Sequence, residues 1–226
     1  MRVALFGGTF DPPHRGHVAL VRLARERLSL DRILVAPVAA QPLKQDASSA
    51  SFADRLAMTR LAFAGERAAE ISLLDAPRSD KASNYTIDTL ATLQRQLSPG
   101  DALYCILGAD SFLTIAKWHR SAELLTTCDF IVGARPGFDL GCAEAALPDG
   151  VSAKPLHSAL HNTQLLELTG ERGKKTRLYL LTDLAEHASA TQVRAALRGE
   201  TGTERLLSPA VEQYIRAHHL YTASIE

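Results

Sequence analysis

A chain of 226 residues with 46% hydrophobic and 22% charged side chains can bury a substantial core, and it fits one α/β domain spanning residues 1–226. Twenty-five basic side chains balance twenty-five acidic ones, which argues against a broad basic field holding nucleic acid through its phosphates. Three cysteines, Cys105, Cys128 and Cys142, with no CxxC spacing, argue against a disulfide framework or structural zinc, and no apolar run approaches the roughly 18 to 20 residues of a membrane span. Without a signal-peptide pattern at Met1, the expectation is a cytoplasmic protein with buried thiols and no membrane partner.

Val3 to Phe6 reads as a short buried strand. Gly7-Gly8 breaks it, and Pro12-Pro13 keeps the next residues out of a helix. From Gly16 the apolar positions Val18, Val21, Ala24 and Leu28 recur at spacings of three and four, so a helix begins there. His14 and His17 therefore stand where a glycine-rich turn meets a helix N-terminus. Unpaired amides and the helix dipole favour an anion at such a place, glycines let a phosphate approach closely, and imidazoles can donate to its oxygens.

The run Gly7-Gly8-Thr9-Phe10-Asp11-Pro12-Pro13-His14-Arg15-Gly16-His17 resembles the GGTFDPxHxGH signature of the nucleotidyltransferase superfamily. Its Pro-Pro-His form resembles the bacterial nicotinate-nucleotide adenylyltransferase family in particular. The motif alone does not fix the substrate, because related adenylyl- and cytidylyltransferases share its core.

Arg32 to Ala36, ended by Pro37, is a second strand, so strand, helix and strand form a βαβ unit with parallel strands. Ligands of such sheets bind beyond the carboxyl ends of the strands, where the Gly7 to His17 loop lies. Val38 to Ser51 reads as a loop. The resemblance implies a basic residue there near substrate phosphate, with Lys44 the candidate, although Leu43 stands where the family often has histidine. Ser51 suits the N-cap of a helix to about Phe63. Glu70 to Leu74 reads as a third strand and Asp75 to Asn84 as a polar loop.

Asn84 to Leu90 runs into a helix reaching about Gln96, with Thr86 near its first turn. A capping threonine is the plain reading. The Tyr85-Thr86-Ile87-Asp88-Thr89-Leu90 segment also resembles the family's YTxDTL motif, which implies that Thr86 and Tyr85 touch the pyridine nucleotide. Ala102 to Leu107 is the strongest strand, ending at Gly108-Ala109-Asp110-Ser111. Asp110 suits a helix N-cap. The match to the family's GADS segment implies instead that Gly108 and Asp110 wall the nucleotide site. Lys117-Trp118-His119-Arg120 resembles the family's KWHR stretch, implying that Trp118 and His119 lie at the pyridine ring. Core packing is the alternative for the tryptophan.

Ala122 to Leu125 reads as helical and Asp129 to Val132 as a fifth strand. Arg135, in an Arg-Pro-Gly turn like the family's, is a candidate to face substrate. Phe138 to Arg177 reads as an elaborated loop or hairpin that would suit a homo-oligomer contact. Its His157 and His161, four apart, would share a face if helical, yet no matching ligands accompany them. Arg177 to Thr182 is a sixth strand. Ser189 or Thr191 can cap a helix running Ala195 to Arg198 and ended by Gly199, and Arg194 can make a bidentate phosphate contact. The segment resembles the family's ISSTxIR motif, which implies ATP-phosphate contacts for Ser189, Thr191 and Arg194, with Ala188 and Ala190 in place of the isoleucine and second serine. Leu207 to Tyr221 reads as a closing helix with Pro209 in its first turn.

Together these readings imply a Rossmann-like α/β fold, with a doubly wound parallel sheet and a C-terminal helical part. The resemblance implies adenylyl transfer from ATP to nicotinate mononucleotide, giving deamido-NAD and pyrophosphate. His14, His17 and Arg194 would be catalytic. Gly7, Gly8, Thr9 and the amides near Phe10 would line the phosphates. Mg²⁺ would arrive on ATP, since no carboxylate cage is visible for a dedicated metal site. Nicotinamide mononucleotide, phosphopantetheine and a non-catalytic nucleotide-binding role remain the rival readings.

Overall fold

The computed structural model describes residues 1–39, 49–80, 82–134, 138–186, 188–199, 202–203 and 205–222. Among the described residues eight strands form one sheet: β1 (Arg2–Gly8), β2 (Arg32–Pro37), β3 (Ala69–Ile71), β4 (Ala102–Gly108), β5 (Asp129–Gly133), β6 (Val151–Leu156), β7 (Thr163–Gly170) and β8 (Lys175–Leu181). Their order is β3-β2-β1-β4-β5-β8-β7-β6. The run from β3 to β8 is parallel, and the hairpin β6–β7 adds an antiparallel edge against β8.

Both faces of the parallel part are covered, so its strands are apolar on both sides. On one face Ala4 and Phe6 of β1 pack with Leu20, Val21, Ala24 and Leu28 of α1 (Arg15–Leu28). On the other, Leu5 packs with Ile87, Leu90 and Leu93 of α3 (Thr86–Gln96). A smaller cluster joins Met58 of α2 (Phe52–Phe63) to Val193 of α7 (Ala190–Leu197) and to Val211 and Ile215 of α8 (Pro209–Ala217). Between these lie three short helices, α4 (Ala109–Phe112), α5 (Ser121–Leu124) and α6 (Leu140–Ala145). Among the described residues no helix is long and apolar enough to cross a membrane.

The ladders open a crevice. β1 stays paired to β2 as far as Gly8↔Pro37, and β4 to β5 as far as Gly108↔Gly133. The β1–β4 pairing stops at Leu5↔Cys105. Strand order reverses between these two strands, and their carboxyl ends part there, the place where such sheets bind ligands.

Several expectations shift. The third strand covers only Ala69–Ile71; Leu73 and Leu74 are exposed, and Ala76 N donates to Leu73 O in a turn. The stretch 138–177 contains α6 and the β6–β7 hairpin, so of the two readings, loop or hairpin, it is the hairpin that holds, and it extends the sheet. His157 and His161 are exposed in the connection between those two strands, so they share no helix face. Helix α7 begins at Ala190, five residues before the expected Ala195, because its cap is Ser189. Helix α8 ends at Ala217, short of Tyr221.

Candidate active site at the end of the first strand

His14 is the N-cap residue of α1, and His17 lies three residues on. Their rings stack with centroids 3.7 Å apart at 23°. The His14 N–H donates to His17 Nδ1 at 3.1 Å, so a neutral His17 carries its proton on Nε2. Phe10 fixes the other side of that ring at 5.0 Å between centroids. The Phe10 side chain is buried against Phe6 and Phe63, so it shapes the loop from inside.

Two glycines are demanded by close approach. A Cβ on Gly8 would lie 3.0 Å from Phe10 Cζ, and one on Gly16 would lie 3.1 Å from both Ala188 O and His14 Nδ1. Gly16 thus lets α1 meet the segment before α7. The Arg15 N–H donates to Leu206 O at 2.9 Å, so that amide of the helix end is committed inside the protein.

Across from the histidines, Arg194 Nη1 donates to the main-chain oxygen of Asp11 at 2.7 Å, which brings the α7 arginine to the loop. Ser189 caps α7: its Oγ accepts from Gln192 N at 3.2 Å, and Gln192 Oε1 accepts from Ser189 N at 3.0 Å. The plain capping reading of Ser189 therefore describes its bonds. Thr191 is exposed in the first turn of the same helix.

On the β4 side, Gly108 is the N-cap of α4, and a Cβ built on it would meet nothing within 4 Å. Asp110 follows in the first turn and is exposed. Tyr85 caps α3 and stacks on His119 with centroids 4.1 Å apart, which joins the Thr86 turn to the Trp118 turn. Trp118 is half-buried against the core, with its Nε1 donating to Thr114 Oγ1 at 3.3 Å. The structure therefore brings Tyr85, Thr86, Trp118 and His119 into one neighbourhood. Lys44 and Arg135 lie outside the described residues.

Three residues at this site carried no assigned role in the sequence. Arg55 of α2 is 1% exposed and donates to four main-chain oxygens: Thr9 at 2.6 Å, Val38 at 2.8 Å, Ala39 at 3.0 Å and Ala50 at 3.3 Å. Burial lowers its pKa, opposed by the charge of Asp11. Asp11 is buried, and its carboxylate accepts from Ser49 N at 2.7 Å, Ala50 N at 3.2 Å and Tyr221 Oη at 2.6 Å. Asp75 is buried beside β1: Thr89 Oγ1 donates to its Oδ1 at 2.5 Å, and its Oδ2 would be 3.7 Å from a Cβ on Gly7. Burial pushes the Asp75 carboxyl up, against the Thr89 hydroxyl that pulls it down. One signal was available: Arg55 falls on the side of α2 that also carries Met58 and Thr59, an unusual place for a cation.

A cytidylyltransferase-like family profile matches residues 5–196. Curated relatives named probable nicotinate-nucleotide adenylyltransferase include one from Pelobacter propionicus, 35% identical over 98% of this chain and 99% of its own. Another, from Pseudomonas paraeruginosa, is 39% identical over 98% of each chain. One from Gloeobacter violaceus is 38% identical over 97% of this chain and 96% of its own. The fold is similar to that of Plasmodium falciparum nicotinic acid mononucleotide adenylyltransferase, solved complexed with NaAD (TM-score 0.66, 20% identity, 97% of each chain). The same enzyme complexed with APC gives a TM-score of 0.67 at 20% identity, over 97% of this chain and 96% of the other. With the relatives aligned from end to end and the histidine pair seated at the parted ends of β1 and β4, the chain belongs to the cytidylyltransferase-like family, among its nicotinate-nucleotide adenylyltransferases.

Proposed function

We infer that this chain transfers the adenylyl group of ATP to nicotinate mononucleotide, releasing pyrophosphate and forming deamido-NAD in NAD biosynthesis. The observation that carries the chemistry is the meeting of His14, His17 and Arg194 around one loop at the mouth of the β1–β4 crevice. The acceptor assignment rests on the relatives' names.

In the reaction a 5′-phosphate oxygen of the mononucleotide attacks the α-phosphorus of ATP. The bond from that phosphorus to the bridging oxygen breaks, and pyrophosphate leaves with the electron pair. The nucleophile is already an anion, so no protein base is needed. Catalysis is alignment plus charge stabilisation. His17, with Nε2 as donor, is assigned to the α-phosphate and His14 to the neighbouring phosphates. Arg194 and Thr191 are assigned to the leaving pyrophosphate. Gly7, Gly8, Thr9 and the Phe10 amide line the phosphate path, and Gly108 and Asp110 the adenosine side. Tyr85, Thr86, Trp118 and His119 are assigned to the pyridine nucleotide, joined by Lys44 and Arg135. Ser189 acts through its cap, which orients α7. Magnesium enters as part of the ATP substrate, and the reaction belongs to the cytoplasm.

The test follows pyrophosphate release from Mg-ATP with nicotinate or nicotinamide mononucleotide as acceptor. Turnover with nicotinate mononucleotide at a kcat/KM at least tenfold above the amide is expected. No release with either acceptor would overturn the enzymatic reading, and a preference for the amide would overturn the acceptor.

A further inference from the structure

Asp11 presents two kinds of acceptor to its surroundings. Its uncharged main-chain oxygen takes Arg194 Nη1 at 2.7 Å. Its carboxylate, 6% exposed as a residue, is engaged by Ser49 N, Ala50 N and the Tyr221 hydroxyl. The 2.6 Å bond from Tyr221 spans 210 residues of sequence. Arg194 and the Tyr221 hydroxyl thus meet at one residue, and Arg55 bonds the main-chain oxygen of Ala50, whose N–H reaches the same carboxylate. Arg55 is held by its four carbonyls and cannot turn. Arg194 has one bond to the loop and is half-buried.

The geometry points to Tyr221 as a positioning residue that saturates the Asp11 carboxylate and so keeps the Arg194 guanidinium directed at phosphate. A buried carboxylate deprived of a donor takes the nearest one. Without the phenol, that donor is Arg194. A guanidinium paired to Asp11 is lost to the nucleotide twice over: its charge is neutralised and its fork is turned away. Nothing in this argument requires Tyr221 to touch a substrate. It rests on the reading that Arg194 binds the phosphates of ATP.

Tyr221→Phe keeps the ring and removes only the hydroxyl. The expected result is a rise in the KM for ATP of at least fivefold with a fall in kcat, while the KM for nicotinate mononucleotide moves less than twofold. Tyr221→His, which keeps an N–H donor, should recover part of the loss relative to Tyr221→Leu, and this comparison stands even if the phenylalanine variant folds poorly. Combined with Arg194→Ala, the phenylalanine change should have little further effect on kcat/KM, because the group it protects is gone. A merely structural role would lower thermal stability and leave both KM values unchanged. Unaltered KM for ATP in Tyr221→Phe, equal activity in the histidine and leucine variants, or full additivity with Arg194→Ala would each overturn the proposal. Failure of the wild-type chain to release pyrophosphate would overturn the function instead, so the two outcomes are separable.

Discussion

His14 and His17 stack face to face at 3.7 Å, and the backbone N–H of the first is a donor to Nδ1 of the second. The pair is thus one unit: the helix cap orients the ring that is assigned to the α-phosphate. Two effects of His17→Ala separate on that basis. Loss of the acceptor costs a helix cap, typically about 1 kcal/mol, which shifts the melting temperature by roughly 2–4 °C in a chain of this size. Loss of the Nε2 donor should lower kcat by on the order of 10²–10³. Steady-state kinetics and a thermal melt on the same preparation check both. Turnover within a few-fold of wild type would remove His17 from the chemistry.

Arg55 is expected to govern stability. Its planar guanidinium reaches carbonyls of Thr9, Val38, Ala39 and Ala50 from one position. A lysine has three donors on one nitrogen and cannot span them. Arg55→Lys should therefore destabilise by roughly 3 kcal/mol, as expected for buried acceptors left unmatched, which corresponds to about 6–12 °C in melting temperature. Chemical denaturation of both proteins measures it, and a loss below about 1 kcal/mol would contradict the count of bonds.

What could be read in the sequence was what side chains announce by spacing. The short apolar run before Gly7 and the three-and-four spacing from Val18 both gave elements found in the fold. Leu73 and Leu74 extended an apolar run without marking a strand, because the pairing with β2 ends at Val35↔Ile71 and the chain then turns, Ala76 N donating to Leu73 O. The edge strand β6 was legible only as part of an elaborated loop or hairpin, because it is short, partly solvent-facing and contains Lys154 and Pro155. The residues that brace the loop from Gly7 to His17 were invisible for a different reason. Arg55 bonds only to main-chain oxygens, and Asp11 receives two main-chain amides and a phenol from the far end of the sequence. Backbone partners carry no residue signature, so only the fold reveals them.

Gly108 offers a clean separation of ligand binding from folding. Its φ of −77° and ψ of 155° suit any residue, and a Cβ there would meet no protein atom within 4 Å. Gly108→Ala should leave the melting temperature unchanged or raise it slightly, because alanine reduces unfolded-state entropy, an effect of about 0.4–1 kcal/mol. If adenosine passes against this strand end, the added methyl group should raise the KM for ATP several-fold. Kinetics and melting measured together decide the point, and an unchanged KM would place the nucleotide elsewhere.

Asp75 sets a pH dependence whose sign follows from its burial. Its carboxyl is raised above the ordinary value of 3.8 by desolvation, with the Thr89 hydroxyl only partly opposing. Between the unfolded and folded values, the native protein keeps a proton that the unfolded chain has released. The group's contribution is therefore most favourable below the unfolded value, declines as pH rises through the folded value, and is constant above it. Asp75→Asn removes the ionisation while its side-chain oxygen can still accept from Thr89. The variant should gain stability relative to wild type as pH climbs from about 4, and the difference should level off once the wild-type carboxyl has ionised. Melting temperatures of the two proteins from pH 4 to 8 measure this difference directly. A difference that stays flat across the range would show that Asp75 titrates as an ordinary surface carboxyl, and one that shrinks with pH would reverse the assigned sign.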